Sequence, residues 1–246
     1  MVPKESDIYP YSVSDLSSKD ALIIAPHPDD ESLGCGGSIV RHIKAGSTVK
    51  VIFMTNGDRG DFEESFGKEY VEIRRKSAQK AMEILGVNDF EFWGYSDRRL
   101  HLVFQEVKER LFHAIETFSP SLIYAPSPLE AHPDHKIAFE VAWALREKLG
   151  ITLAFYEVLM ALYPNVLVDI TGEMEQKKRA IESYSTEVYY NDYVTKVEGL
   201  NRFRTATLPK NIRYAEAFLL FKKGMQIADT FPLKLFNAAM QYNDKA

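Results

Sequence analysis

The chain has 246 residues, 46% of them hydrophobic and 26% charged, with a formal charge of −5 and a pI near 5.8. That composition describes one globular domain with a substantial core rather than a disordered chain. The acidic balance also argues against a nucleic-acid partner, which needs a basic face, and favours a small molecule. A single cysteine, Cys35, excludes an internal disulfide framework and a multi-thiolate metal site and fits a reducing compartment. The N-terminus lacks an apolar signal core, and no apolar run approaches the about 18 residues needed to span a bilayer. The expectation is a cytoplasmic protein with no membrane insertion.

In chain order, the apolar run 21–26 predicts a first strand ended by proline. A helix follows through "ESLGCGGSIVRHIKAG", and a second strand covers 48–56, completing a βαβ unit. The alternation continues with a helix around 65–85, a strand over 89–95, a helix over 104–118, a strand over 121–127 and a helix through "KIAFEVAWALREKLG". Beyond 151 come "ITLAFYEV", "VLVDI", helices near 173–184 and 192–205, and the apolar run "AEAFLLF". No linker separates this part, so the added strands and helices join the same sheet. The fold class is α/β, a Rossmann-like, mostly parallel sheet with helices on both faces, in a single domain over 1–246. Its core runs from about 20 to 222, and the tail 223–246 contains "FPLKLFNAAMQY". That segment reads as an amphipathic helix docking on its own core, with a contact to a second subunit as the other reading.

In open parallel sheets, ligands bind outside the carboxyl ends of the strands. Here those ends read "PHPDDE", "NGDRGD", "GYSDRR" and "PSPLEAHPDH", so the unusual polar clusters share one edge. Two of them contain His-Pro-Asp. A given tripeptide occurs about once in 10⁴ positions at average usage, so two copies on one predicted edge are poorly explained by chance.

His27 and Asp30 lie three residues apart at a helix start and share a face. With His135 they form a two-histidine, one-carboxylate set suited to a catalytic Zn²⁺ that keeps a position open for water. Fe²⁺ is the alternative, because oxygenases use the same triad. Adjacent side chains on a helix diverge by about 100°, so Asp30 can ligate while Asp29 faces the water bound to the metal and takes its proton. His132 then donates a hydrogen bond or proton to the oxyanion or the leaving amine. Asp134 either holds His132 in tautomer and charge or serves as a first-turn acid favoured by the helix dipole. Either aspartate of the first pair, taken alone, also reads as an N-cap.

Other features invite weaker readings. "GCGG" after the first strand suggests a nucleotide module, but it does not match G-x-G-x-x-G, and the acids beside it would repel a pyrophosphate. Cys35 lies between glycines in the first helix and reads as a small buried hydrophobe. His42, His101 and His113 have no motif around them and read as packing or surface residues. The stretch 57–70 is either a lid or a solvated loop.

"HPDDESLGCGG" followed by a distant "HPDH" resembles the LmbE-like, PIG-L-type zinc deacetylases, which remove acetyl from N-acetylglucosamine conjugates. "TNGDRGD", "IRRKSAQKAMEILGV", "FWGYSDRRL" and "RYAEAFLLF" extend the resemblance over roughly residues 20–222. It implies metal ligands His27, Asp30 and His135, Asp29 as general base, and His132 facing the tetrahedral intermediate. It also implies that Arg74 and Asp97 reach the sugar, although Arg74 could instead pair with an acid on its helix and Asp97 could cap the next one. Two positions depart from the family pattern. Ser77 stands where a glutamate is frequent, removing an ion pair. Glu130 stands where some members carry a catalytic tyrosine, and an acid there repels an anionic substrate unless Arg59, Arg98 or Arg99 offsets it. The expected substrate is an N-acetylated amino-sugar conjugate of unspecified aglycone.

Overall fold

The structure, a computed structural model, describes residues 12–17 and 19–226. Five strands run parallel: β1 (Ala21–Ala25), β2 (Val49–Thr55), β3 (Asp89–Tyr95), β4 (Leu122–Pro126) and β5 (Thr152–Tyr156). Two more strands, β6 (Val166–Asp169) and β7 (Ala215–Phe221), complete a seven-stranded sheet in the order β3-β2-β1-β4-β5-β7-β6 among the described residues. β7 pairs antiparallel with both β5 and β6, so the sheet is mixed rather than wholly parallel.

β1 and β4 are buried throughout, because helices cover both faces. The alternation of side chains then divides the core in two. Ala21, Ile23 and Ala25 face α1 (Asp30–Lys44), α2 (Tyr70–Leu85) and α5 (Met174–Ser183). Leu22 and Ile24 face α3 (Phe104–Phe118) and α4 (Pro133–Leu149). The predicted strand over 89–95 and helix over 104–118 coincide with β3 and α3. Two further helices are α6 (Ser185–Tyr190) and α7 (Tyr193–Phe203); the sequence reading contains α7 and misses α6. The segment "FPLKLFNAAMQY" lies outside the described residues. None of the helices among them is long and apolar enough to cross a membrane.

The first helix is set unusually deep. A Cβ on Gly34 would lie 2.2 Å from the Tyr156 ring, and one on Gly37 would lie 2.6 Å from Ile170, so small residues are what let α1 approach the sheet. At Cys35 the backbone leaves helical geometry (φ −140°, ψ 21°) and the helix restarts. The restarted N–H groups of Gly37 and Ser38 donate to the carboxylate of Glu216 on β7, each at 2.8 Å, and Lys177 on α5 neutralises that acid at 2.6 Å. Glu216 thereby acts as a cap supplied from another strand. Cys35 is buried and is no nucleophile at the cleft; burial pushes its thiol well above the ordinary range. His42 is likewise a packing residue, 3.0 Å from the Tyr124 hydroxyl, while His101 and His113 are exposed.

Candidate active site

The β1–α1, β2–α2, β3–α3 and β4–α4 loops meet above the strand ends and, with residues 158–159 and the segment 187–193, line a cleft of about 210 Å³. On its floor, three side-chain atoms form a nearly equilateral triangle: His27 Nδ1 to Asp30 Oδ2, His27 Nδ1 to His135 Nε2, and His135 Nε2 to Asp30 Oδ2 are each 3.2 Å. His27 and His135, 108 positions apart and one from each predicted segment, therefore converge. The backbone N–H of His27 donates to Asp30 Oδ2 at 2.8 Å and fixes the carboxylate rotamer.

The triangle fits a divalent ion. Atoms so spaced could all be reached by one ion at zinc's usual distances of about 2.0–2.2 Å to N and O ligands. The electrostatics agree with that fit. Burial lowers the pKa of both rings, yet the carboxylates around His27 raise it well above the usual imidazole range, and Asp30 lifts His135 to about 9. The surrounding carboxylates thus favour positive charge in this cluster.

Each histidine of the triangle has an acid behind it. His27 Nε2 lies 3.3 Å from Asp97 Oδ1 and 3.4 Å from Asp134 Oδ2, and His135 Nδ1 lies 3.7 Å from Glu130 Oε2. Such carboxylates fix ring orientation and tautomer in metal sites. His27, Asp97, His132 and Asp134 also offer one ligand atom each within 4.8 Å of one another. Asp134 also accepts from the backbone N–H groups of Arg98 (2.5 Å) and Leu100 (3.2 Å), and the triangle, 3.2 Å on every side, is the more compact of the two sets.

Asp29 adopts φ 133° and ψ −31°, a strained conformation for a residue with a Cβ. Its carbonyl accepts from Ser32 and Leu33, and its N–H donates to Glu31 Oε2 at 3.2 Å. The carboxylate faces Arg74 Nη2 at 3.4 Å. Burial raises the Asp29 pKa well above the ordinary carboxylate range; Arg74 opposes the shift, while Asp30 and Glu187 add to it.

His132 is the N-cap of α4, and its Nδ1 accepts the N–H of Asp134 at 3.2 Å. The proton of the neutral ring therefore sits on Nε2, which faces Asp97 Oδ1 at 3.5 Å, and the residue lines the cleft. Burial and the two neighbouring histidines push the His132 pKa down to about 4, so the ring is neutral at pH 7. For Asp97, burial acts upward, but the His27 hydrogen bond and the charges of His27 and His132 hold it at about 2.

Several expectations change at this level. Asp134 does not hold His132 through its carboxylate, which instead faces His27 and the 98–100 backbone. Glu130 does not face a substrate: it is buried under the N–H groups of residues 158–160. Asp97 supports two histidines rather than capping a helix. Arg74 lines the cleft but is committed to the protein, donating to Gly57 O (3.0 Å) and Pro28 O (2.7 Å). The acid missing at Ser77 is replaced from α6, where Glu187 Oε1 lies 2.9 Å from Arg74 Nε and accepts from the Tyr70 hydroxyl. The 57–70 stretch forms one wall through Gly60, Phe62 and Tyr70.

Three contributors had no reading in the sequence. Glu31, buried, accepts from the hydroxyls of Ser32 and Tyr184 and from the N–H of Asp29, and burial pushes it up to about 7. It stands inside the first motif, so its position was visible while its role was not. Tyr184 and Glu187 belong to no motif.

Comparison with known proteins finds deacetylases among the relatives of this chain. The diacetylchitobiose deacetylase of Thermococcus kodakarensis is 28% identical over 191 residues, covering 69% of this chain and 70% of the relative. A probable N-acetyl-alpha-D-glucosaminyl L-malate deacetylase 2 of Bacillus anthracis is 27% identical over 207 residues, 76% of this chain and 87% of the relative. Among solved structures, N,N'-diacetylchitobiose deacetylase from Pyrococcus horikoshii matches with a TM-score of 0.73 at 28% identity, covering 83% of this chain and 84% of that one. The family model described as PIG-L: GlcNAc-PI de-N-acetylase matches residues 22–145, which is half of the chain and includes both His-Pro-Asp segments. The chain belongs to the PIG-L family.

Proposed function

We propose that the protein is a zinc-dependent hydrolase that removes the acetyl group from an N-acetylglucosamine conjugate. The observation that carries the reading is the 3.2 Å triangle of His27, Asp30 and His135 on the cleft floor, with Asp29 beside it. The deacetylase relatives give it support and give none to an Fe²⁺ oxygenase on the same ligands.

Zinc held by the three residues supplies Lewis acidity and lowers the pKa of water. The chain's own groups do the rest. Asp29, kept close by its strained backbone and by Arg74, takes the proton of the water that attacks the acetyl carbonyl. The burial that raises its pKa suits it to hold that proton and deliver it to the amine nitrogen as the C–N bond breaks. His132 Nε2–H points into the cleft as a neutral donor and stabilises the oxyanion. Asp97 and Asp134 hold the His27 ring in the orientation that presents Nδ1. Arg74 acts through Asp29 and the Pro28 and Gly57 carbonyls, which makes it a positioning residue more than a sugar contact. A reducing, cytoplasmic setting suits the buried, unpaired Cys35.

The test is a panel of N-acetylglucosamine conjugates, neutral and acidic, incubated with zinc-loaded protein while free amine and acetate are measured. Stoichiometric release of both supports the reading. Turnover of none of them, with zinc bound, contradicts it.

A further inference from the structure

Glu130 stands behind His135 and also under the cleft wall, and it is among the most completely buried acids in the molecule, at 1% exposure. We propose that Glu130 is a positioning residue that ties the metal ligand His135 to the cleft wall at residues 158–160, so that one carboxylate sets both. The inference rests on the reading of His135 as a ligand.

The two oxygens of Glu130 have different surroundings. Oε1 accepts from three successive backbone N–H groups, those of Val158 (2.8 Å), Leu159 (3.2 Å) and Met160 (3.1 Å). Consecutive N–H groups converging on one oxygen form a concave anion seat, which offsets the cost of burying the charge. Oε2 has only a long contact to the Leu159 N–H at 3.3 Å, and its open side faces His135 Nδ1 at 3.7 Å.

His135 supplies the second, independent observation. Its Nδ1 is buried and has no hydrogen-bond partner. When Nε2 of a neutral imidazole binds a metal, Nδ1 must carry the proton. A buried N–H without an acceptor costs about 1–3 kcal/mol. Glu130 Oε2 is the acceptor at hand, and the gap exceeds a good N–H···O distance by less than about 1 Å, a small swing of the ring as it settles on the ion. Val158 and Leu159 line the cleft.

Glutamine separates the two tasks. With its amide oxygen in the backbone seat, its NH₂ faces His135 Nδ1, placing donor against donor. The experiment compares E130Q, E130A and H135A with the unaltered protein. Each is stripped of metal, titrated with zinc against a chromophoric chelator, melted as apoprotein, and examined by visible absorption after cobalt(II) loading. E130Q is expected to bind zinc about 10–100-fold more weakly, with shifted cobalt bands and an unchanged apo melting temperature. E130A, which strips the acceptor from three N–H groups, is expected to weaken zinc and also lower the apo melting temperature. H135A loses the site, which checks the ligand reading separately. Unchanged zinc affinity and cobalt bands in E130Q, with loss in H135A, overturn the role of Glu130 and leave the ligand assignment standing. A zinc loss in E130Q matched by a lowered apo melting temperature assigns Glu130 to folding alone and overturns it as well. Undiminished zinc binding in H135A overturns both.

Discussion

The two His-Pro-Asp segments share three residues and then diverge. In each, the fourth residue, Asp30 or His135, supplies a corner of the triangle. The first residue does so only once: His27 turns Nδ1 to the triangle, whereas His132 spends Nδ1 on capping α4 and leaves Nε2–H for the cleft. The third residues differ most. Asp29 sits at φ 133° before its helix and faces Arg74, while Asp134 lies inside α4 with its carboxylate on two backbone N–H groups and beside His27. On the proposed function the same tripeptide yields a base in one place and a brace in the other, and the helix begins at a different point relative to it, at Asp30 and at Pro133.

That contrast can be broken residue by residue. The largest effect is expected for H27A, which removes a ligand: zinc content, read by elemental analysis, falls away and acetate release drops to background. D29N comes next, retaining zinc while kcat falls by about 10²–10⁴-fold, the usual worth of a general base. Near-full activity in D29N with metal bound would take the base role from that residue. H132A retains zinc and loses about 10²–10³-fold in kcat, as for removal of an oxyanion donor, whereas the same change at His27 abolishes the site. D134N sharpens the comparison of the third residues. It is expected to lose about 10-fold in activity through His27 and about 1–3 kcal/mol in stability from its altered backbone contacts, measured by denaturant melts. If D134N matched D29N in kcat loss at full stability, the division into base and brace would fail. The smallest catalytic effect is expected for G34A: a methyl against Tyr156 costs about 1–3 kcal/mol of stability, with kcat per folded molecule retained.

Much of this was legible in the sequence because it depends on local pattern. β-Branched and apolar runs mark β1, β2 and β4, and helical spacing marks α3 to the residue. The strand-end rule then places both motifs on one edge without any tertiary knowledge. What stayed hidden depends on contacts between distant segments. α6 reads "STEVYY", a β-branched and aromatic run that resembles a strand, and it is helical only in the setting of α2, α5 and α7. Glu187 rides on that helix, so the acid paired with Arg74 could not be found by looking along α2. The antiparallel insertion of β7 between β5 and β6 carries Glu216 to the break in α1, and chain order alone does not reveal it. The acid at 130 was visible as a departure, but its direction depends on how residues 158–160 fold back over it.

The central claim is tested most directly by anomalous scattering at the zinc edge from crystals of the loaded protein. The account predicts one strong peak per chain, about 2.0–2.2 Å from His27 Nδ1, Asp30 Oδ2 and His135 Nε2. A peak on the other side of the His27 ring, among Nε2, Asp97, His132 and Asp134, would contradict it.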